Sequence, residues 1–170
     1  LEDNQGLTWR TPTLSHALTL NGPIAMHLVA ASTASDTDWF VKISDVAPDG
    51  TESIVTEGQL RASMRKLARG STRIEPLQTL RSPHAIKPGK FIRYEIAVAP
   101  TAYEFKPGHR LQIRLTSYNL PNALPATFRL STSLQPGLDF DPLLPSTNTV
   151  RIGKGGTTVT LPIAPSDTAG

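Results

Sequence analysis

The sequence contains no cysteine, and only 6% of its 170 residues are aromatic. Without cysteine, the chain has no disulfide framework, no thiolate zinc site, no iron–sulfur cluster and no cysteine nucleophile. No apolar run approaches the ~18 residues needed to cross a bilayer. The first residues, Leu1-Glu2-Asp3-Asn4, are not a basic stretch followed by an apolar one. We therefore expect neither a transmembrane segment nor a signal peptide in this chain, and its localisation stays unknown.

The chain also carries little net charge. Lys and Arg number 17 against 14 Asp and Glu, a formal charge of +3. The basic residues are scattered, apart from a cluster formed by Arg61, Arg65, Lys66 and Arg69. Nucleic-acid binding calls for a denser basic stripe or for interleaved aromatics. We therefore expect no nucleic-acid partner and no membrane partner for a chain of about one domain's length.

Alternating apolar and polar residues predict several β-strands, because residues two apart lie on one face of a strand. Four apolar sets are clear: Ile24/Met26/Leu28/Ala30, Trp39/Val41/Ile43, Ile92/Tyr94/Ile96/Val98 and Leu111/Ile113/Leu115. Phe128 with Leu130, and Val159 with Leu161, indicate two further short strands.

Frequent turn signals separate these strands. The turns are predicted at Asn21-Gly-Pro23, Pro48-Asp-Gly50, Lys87-Pro-Gly89, Lys106-Pro-Gly108 and Gly153-Lys-Gly-Gly156. No strand–helix alternation is present, so an α/β fold is excluded. The one ambiguous stretch begins at Leu60, where we favour a strand that runs into a short helix or loop near residues 66–70. Residues 136–148 suggest a long surface loop, and the whole pattern predicts an all-β sandwich or barrel.

The search for catalytic and metal-binding motifs is mostly negative. No serine lies in Gly-x-Ser-x-Gly, and Ser63-Met-Arg-Lys66 matches Ser-x-x-Lys without the motifs that accompany it. The four histidines lack metal-site spacing, and His27 fits a hydrogen-bonded or surface position on a strand. Asp36 and Asp38 precede a strand and suggest local turn hydrogen bonds rather than a calcium loop. We predict no catalytic residue, no metal site and no cofactor.

Eight stretches in series resemble the C-terminal domain of the X-Pro dipeptidyl-peptidase and cocaine-esterase-like (CocE/NonD) serine hydrolases. They are Leu20-Asn-Gly-Pro23, Asp36-Thr-Asp-Trp-Phe-Val41, Asp45-Val-Ala-Pro-Asp-Gly50, Gly58-Gln-Leu-Arg-Ala62, Pro100-Thr-Ala-Tyr103, Phe105-Lys-Pro-Gly-His-Arg110, Ser117-Tyr-Asn-Leu-Pro121 and Leu161-Pro-Ile163. The resemblance implies one domain over residues 1–170, with an ordered core at about 7–164. The sequence departs from the family pattern after Pro121, where it continues as Asn122-Ala-Leu-Pro125.

The resemblance implies a jelly-roll β-sandwich similar to galactose-binding domains. In the family this domain follows an α/β-hydrolase domain and a helical cap, and the Ser-Asp-His triad belongs to the hydrolase domain, which this chain lacks. The implied role is non-catalytic: the domain packs on the catalytic domain and shapes its substrate pocket. Because aromatic side chains dominate such contacts, Trp39, Tyr103, Phe105 and Tyr118 are the candidates for the domain contact or pocket wall.

Two other functions stay open. Trp9, Trp39 and Tyr118 are candidates for a sugar platform, which would make the chain a carbohydrate-binding module. That alternative requires a concave sheet face with exposed aromatics, and the fold alone does not establish it. The other alternative is a homo-oligomerisation domain.

Overall fold

The computed structural model describes residues 6–117 and 146–165. These residues form eight strands: β1 (Leu7–Arg10), β2 (Leu18–Ser32), β3 (Asp38–Val46), β4 (Glu52–Arg61), β5 (Ile92–Phe105), β6 (Arg110–Thr116), β7 (Asn148–Val150) and β8 (Thr158–Thr160). In the described ranges, the single helical element is a 3-10 turn at Ala62–Met64. The all-β prediction is confirmed. The predictions at Tyr118, Phe128 and Leu130 and most of the loop at 136–148 lie outside the described residues.

The strands form one antiparallel sheet that curls on itself. Its order is β1-β6-β3-β4-β5-β2-β7, and β8 pairs with the same edge of β2 as β7. Strands β1, β6, β3 and β4 make one layer, and β5, β2, β7 and β8 make the other. The layers face each other, because Trp39 of β3 packs on Tyr94 of β5 with ring centroids 5.6 Å apart. The fold is thus a curled antiparallel sheet of sandwich form, and its jelly-roll connectivity stays a prediction.

The core lies between the two layers and contains the alternating sets of the sequence. Residues from Ile24 to Ala30, from Trp39 to Ile43 and from Tyr94 to Val98 contribute every second side chain to one buried cluster, which Leu111 and Leu115 complete. Such alternation places one face of each strand in the core. The predicted strands are therefore confirmed at β2, β3, β5 and β6.

The sheet passes from one layer to the other at Gly58. Within the described residues, Gly58 forms the one backbone pairing between β4 and β5, opposite Val98. A Cβ atom at Gly58 would lie 2.3 Å from the carbonyl oxygen of Ala97. A glycine is needed here because a side chain would collide with the neighbouring backbone.

Four of the five predicted turns are confirmed. Gly50, Gly89, Gly108 and Gly153 have φ between 75° and 88°, the left-handed conformation that favours glycine. The prediction at Asn21-Gly-Pro23 is wrong, because β2 continues through these residues. Gly22, at φ 135°, lies at a β-bulge, where the register of β2 against β5 shifts.

The ambiguous stretch that begins at Leu60 resolves into a strand followed by a short helix. Strand β4 ends at Arg61, and the helical turn covers Ala62–Met64 rather than residues 66–70. Buried Ala62 and Ser63 hold this turn against the sandwich. Residues 66–70 form the loop that was the other alternative, with a turn at Arg69 and Gly70.

A long connection follows this turn and returns the chain to β5. We call residues 65–91 the excursion. Its middle is a narrow hairpin-like pairing, in which Thr79 N donates to Lys66 O and Ala68 N donates to Leu77 O. Its return leg is held on the sandwich, because Ile86 N donates to Ser35 O at 2.8 Å.

Candidate functional site

Tyr103 lies in a hydrogen-bonded cluster at one end of the sandwich. Its hydroxyl donates to Asp45 Oδ2 at 2.9 Å, and His109 Nδ1 lies 2.9 Å from Asp45 Oδ1. The three residues come from β5, from the end of β3 and from the turn before β6. Burial first, then the hydrogen bond to Asp45 and its charge, raise the pKa of Tyr103. The cluster ties three elements together, and it contains no serine among the described residues.

Phe105 and Trp39 are core residues of this chain. Phe105 is fully buried and packs edge-on against Tyr103, with ring centroids 5.0 Å apart. Trp39 is 2% exposed. Neither side chain is exposed on the surface of the described chain. As contact residues, Trp39 and Phe105 would therefore act only indirectly, by supporting the residues above them.

An open cleft of about 490 Å³ lies beside Trp39. Leu7 and Leu115 line one side of it, and Asn148 and Val150 of β7 line the other. The cleft therefore separates the two ends of the curled sheet, β1–β6 and β7. The structure brings Trp39 to this cleft but does not bring Tyr103 or Phe105 there, and Tyr118 lies outside the described residues.

His27 is a buried, hydrogen-bonded histidine. It is 0% exposed, its Nδ1 contacts Glu95 Oε2, and its Nε2 lies 2.9 Å from Thr160 Oγ1. The interaction joins β5, β2 and β8. The hydrogen-bonded interpretation of His27 is confirmed, and the residue connects strands rather than facing a cavity.

Asp36 anchors the start of β3. Its Oδ1 accepts hydrogen bonds from Thr37 N at 2.9 Å and Ser63 N at 2.8 Å. Its Oδ2 accepts a hydrogen bond from Arg61 Nε at 2.9 Å. The predicted local turn hydrogen bond is confirmed, and two longer-range bonds accompany it.

Ser63 is buried and its hydroxyl makes no hydrogen bond within the described ranges, whereas Lys66 is exposed. The Ser-x-x-Lys match therefore forms no catalytic pair. No group of three or more metal-ligating side chains occurs in residues 6–117 and 146–165. Within the same ranges, no helix is long and apolar enough to span a membrane.

The excursion carries the most exposed apolar surface of the described chain. Four of the eight exposed large hydrophobic residues belong to it: Leu67 at 42%, Ile74 at 49%, Leu77 at 53% and Leu80 at 70%. The sequence analysis missed this surface, because its apolar residues follow neither a strand nor a helix period. The available signal was the basic cluster, which flanks Leu67 and ends at Arg69, before the other three apolar residues.

The aromatic residues give no comparable surface. Trp9, Phe91 and Tyr103 are half-buried, and the other aromatic side chains in the described part of the chain are buried. The flat polar face of β1, β6, β3 and β4 instead carries charge pairs such as Lys42–Glu57 and Arg114–Glu52. Exposed aromatic platforms, which sugar binding uses, are absent from this part.

An antiparallel sandwich with buried aromatics and an exposed apolar connection places the chain in the class of all-β domains. The model of the X-Pro dipeptidyl-peptidase C-terminal non-catalytic domain matches residues 1–159. The chain belongs to this family. The resemblance stated from the eight motifs is thereby confirmed.

Comparisons with individual proteins agree with this family. The chain is 37% identical over 119 residues to a Mycobacterium bovis protein that carries the name of a serine esterase, with 67% of this chain covered. It is 30% identical over 115 residues to cocaine esterase from Rhodococcus sp., with 68% of this chain covered. The chain spans only 19% and 18% of the lengths of these relatives.

Solved structures show the same fold at lower identity. An α-amino acid ester hydrolase matches with a TM-score of 0.77 and 21% identity, covering 95% of this chain and 26% of that chain. An aminopeptidase from a marine sediment archaeon, Thaumarchaeota archaeon, matches with a TM-score of 0.76 and 21% identity, covering 96% and 26%. In both, the matching part is about a quarter of a longer chain.

Proposed function

We propose that this chain is the accessory domain of a serine hydrolase of the acyl-esterase and X-Pro dipeptidyl-peptidase class, that it packs on the catalytic domain, and that it helps to shape the substrate pocket. Family membership supports the non-catalytic role. The named relatives are esterases, and the part of this chain that matches them spans less than a fifth of their length, so a catalytic domain is the partner expected beside it.

The exposed apolar surface of the excursion carries this proposal. Four large apolar side chains on one connection are about half exposed or more. Contiguous apolar patches on a domain mark an interaction surface, because their burial removes unfavourable contact with water. At about 25 cal/mol per Å² of apolar surface, covering such side chains contributes a few kcal/mol to docking.

Docking is tested in the full-length protein from which this chain derives. Ile74→Ser and Leu77→Ser together remove two exposed apolar contacts, and Ile152→Ser is the matched control, since Ile152 is 66% exposed but lies between β7 and β8. Scanning calorimetry should show one joint transition for the parent and the control, and two separate transitions for the double variant. An unchanged joint transition in the double variant contradicts docking through the excursion.

The pocket-shaping part is tested by kinetics on the same proteins. The double variant should raise KM for bulky acyl groups more than for acetyl esters, and the control should change neither value. An equal effect on the KM values of both esters would contradict the pocket-shaping role but not the docking of the domain.

The non-catalytic part is tested on the chain as it stands. Incubation with ester and X-Pro-amide substrates should give no turnover. Turnover that a serine-directed inhibitor abolishes would refute the proposal. In a parallel thermal scan with a panel of glycans, a rise in Tm would favour the carbohydrate-binding alternative.

A further inference from the structure

The excursion concentrates the positive charge of the chain. Residues 65–91 contain seven Lys and Arg and one Glu, a net charge of +6, whereas the whole chain has +3. The other 143 residues therefore carry a net charge of −3. The basic pI of about 9.5 is a property of one connection rather than of the whole domain.

Six of these seven cations face solvent. They are Lys66, Arg69, Arg73, Arg81, Lys87 and Lys90, and none takes part in the ion pairs found within residues 6–117 and 146–165. The seventh, Arg65, is half-buried, and its Nη1 donates to the carbonyl oxygens of Ala62 at 3.0 Å and His84 at 2.6 Å. Arg65 thus fixes the base of the excursion, while the other six keep their charge available.

The backbone of the excursion is strained where it leaves the hairpin. Leu80 and Ser82 have φ of 50° and 55°, and they are the two non-glycine residues with positive φ among those described. The left-handed conformation is unfavourable for L-residues, because the Cβ atom comes too close to the following carbonyl oxygen. Leu80 nevertheless is the most exposed large hydrophobic residue described, at 70%. Strain that presents an apolar side chain to solvent points to a binding role rather than to the stability of this domain.

We propose that the excursion docks on an acidic surface of the catalytic part of the same protein, with its leucines and Ile74 in apolar contact and its exposed cations paired to carboxylates. This inference rests on the proposed function and adds the chemistry of the partner surface. Opposite charges across an interface fix orientation and exclude wrong partners.

The catalytic part is favoured as the occupant by its size and by the absence of other binding features. About four-fifths of each matched relative lies outside the region that this chain covers. A tethered partner is present at high effective concentration, so a modest surface is sufficient for docking. The excursion holds one aromatic residue, half-buried Phe91, whose ring is stacked by Arg151 at 4.3 Å, so it offers no aromatic platform for bases.

Trypsin measures the exposure of this surface, because it cleaves after lysine and arginine. Six bonds of the excursion qualify by sequence, because Lys87 precedes proline. Five of them follow an exposed cation, Lys66, Arg69, Arg73, Arg81 or Lys90, and the sixth follows half-buried Arg65. Cleavage rates at these bonds are compared between the isolated chain and the full-length protein by mass spectrometry of early products. We expect at least tenfold slower cleavage in the full-length protein at 50 mM NaCl.

Salt and charge reversal test the electrostatic part. Raising NaCl to 1 M shortens the screening length from above 10 Å to about 3 Å, so protection should fall several-fold, with a reference protein in the same tube correcting for trypsin itself. In the double variant Arg69→Glu/Arg73→Glu, protection should be lost at Lys66, Arg81 and Lys90. The control Lys106→Glu/Arg110→Glu changes two exposed cations outside the excursion and should retain protection.

The outcomes separate the two proposals. A joint calorimetric transition, with protection that neither salt nor charge reversal alters, overturns the acidic surface but leaves docking in place. Separate transitions and unprotected bonds overturn docking itself. Sedimentation of the isolated chain with vesicles of anionic phospholipid, together with an unprotected excursion in the full-length protein, would assign the surface to a membrane and overturn the proposal.

Discussion

Replacing Tyr94 with phenylalanine should change the alkaline stability of the domain. Tyr94 is 0% exposed, and burial raises the pKa of its hydroxyl from 10.0 to about 12, with the Asp36 carboxylate contributing and Arg65 and the Trp39 indole opposing. The folded state therefore holds the phenolic proton more tightly than the unfolded state does. Below pH 10 both states hold this proton and the stability of the parent does not depend on it; as the pH rises from 10 towards 12 the unfolded state loses the proton first, so the folded state is progressively destabilised.

The size of the effect follows from the shift. Each pKa unit corresponds to about 1.4 kcal/mol, so two units give roughly 3 kcal/mol between pH 9 and pH 12. At neutral pH the substitution should change the free energy of unfolding by less than about 1 kcal/mol, because the hydroxyl has no hydrogen-bond partner in the described ranges. The variant should thus equal the parent at pH 7 and exceed it increasingly above pH 10.

The assay is urea unfolding of the isolated chain at several pH values from 7 to 11.5, followed by tryptophan fluorescence. Subtracting parent from variant cancels the titration of lysines and arginines, which both proteins share. Tyr103→Phe is the comparison variant, since Tyr103 is half-buried and its hydroxyl is bound to Asp45. A pH-independent difference between Tyr94→Phe and the parent would refute the buried position of Tyr94 between the layers.

Three further substitutions test how the strands are joined within and between the layers. Gly58→Ala should destabilise the chain by about 1–3 kcal/mol or more by overpacking against Ala97. Gln59→Ala, at the exposed neighbouring position, should be near neutral in the same urea titration. Equal effects of the two substitutions would contradict the close approach of Gly58 to the Ala97 backbone. Asp45→Asn should cost about 1–3 kcal/mol, because Asp45 accepts hydrogen bonds from two elements, and a loss below 0.5 kcal/mol in thermal unfolding would argue against the cluster. His27→Phe should cost a similar amount and should speed hydrogen exchange in β8, and unchanged exchange there would contradict its role as a connector.

The sheet was predictable from the sequence because one face of each main strand is apolar and enters a common core, whereas the opposite face mixes polar and apolar side chains, some of them also buried, such as His27 and Ser44. The sets at Met26, Val41, Ile96 and Ile113 alternate for that reason, and the glycine turns follow from φ values that other residues resist. The turn prediction failed at Gly22 because glycine is common both in turns and at β-bulges. Only the pairing of β2 with β5 distinguishes a bulge from a turn at this position.

The contact surface was not predictable in the same way. Burial of Trp39 and Phe105 depends on long-range pairing, so aromatic type alone could not distinguish a core residue from a contact residue. The excursion has no periodicity, because its residues pack neither as a strand nor as a helix against the core. The cations Arg65 and Arg69 are visible in the sequence. Only the structure distinguishes their roles, because it shows that Arg65 donates hydrogen bonds to two backbone carbonyls whereas Arg69 is exposed.

Hydrogen–deuterium exchange of residues 65–91, compared between the isolated chain and the full-length protein that contains the proposed catalytic domain, measures whether this domain acts by docking. We expect exchange in the excursion to slow at least tenfold in the full-length protein, while β3 and β6 exchange equally in both. Identical exchange of the excursion in the two proteins would contradict its assignment as the surface that joins this sandwich to a catalytic domain.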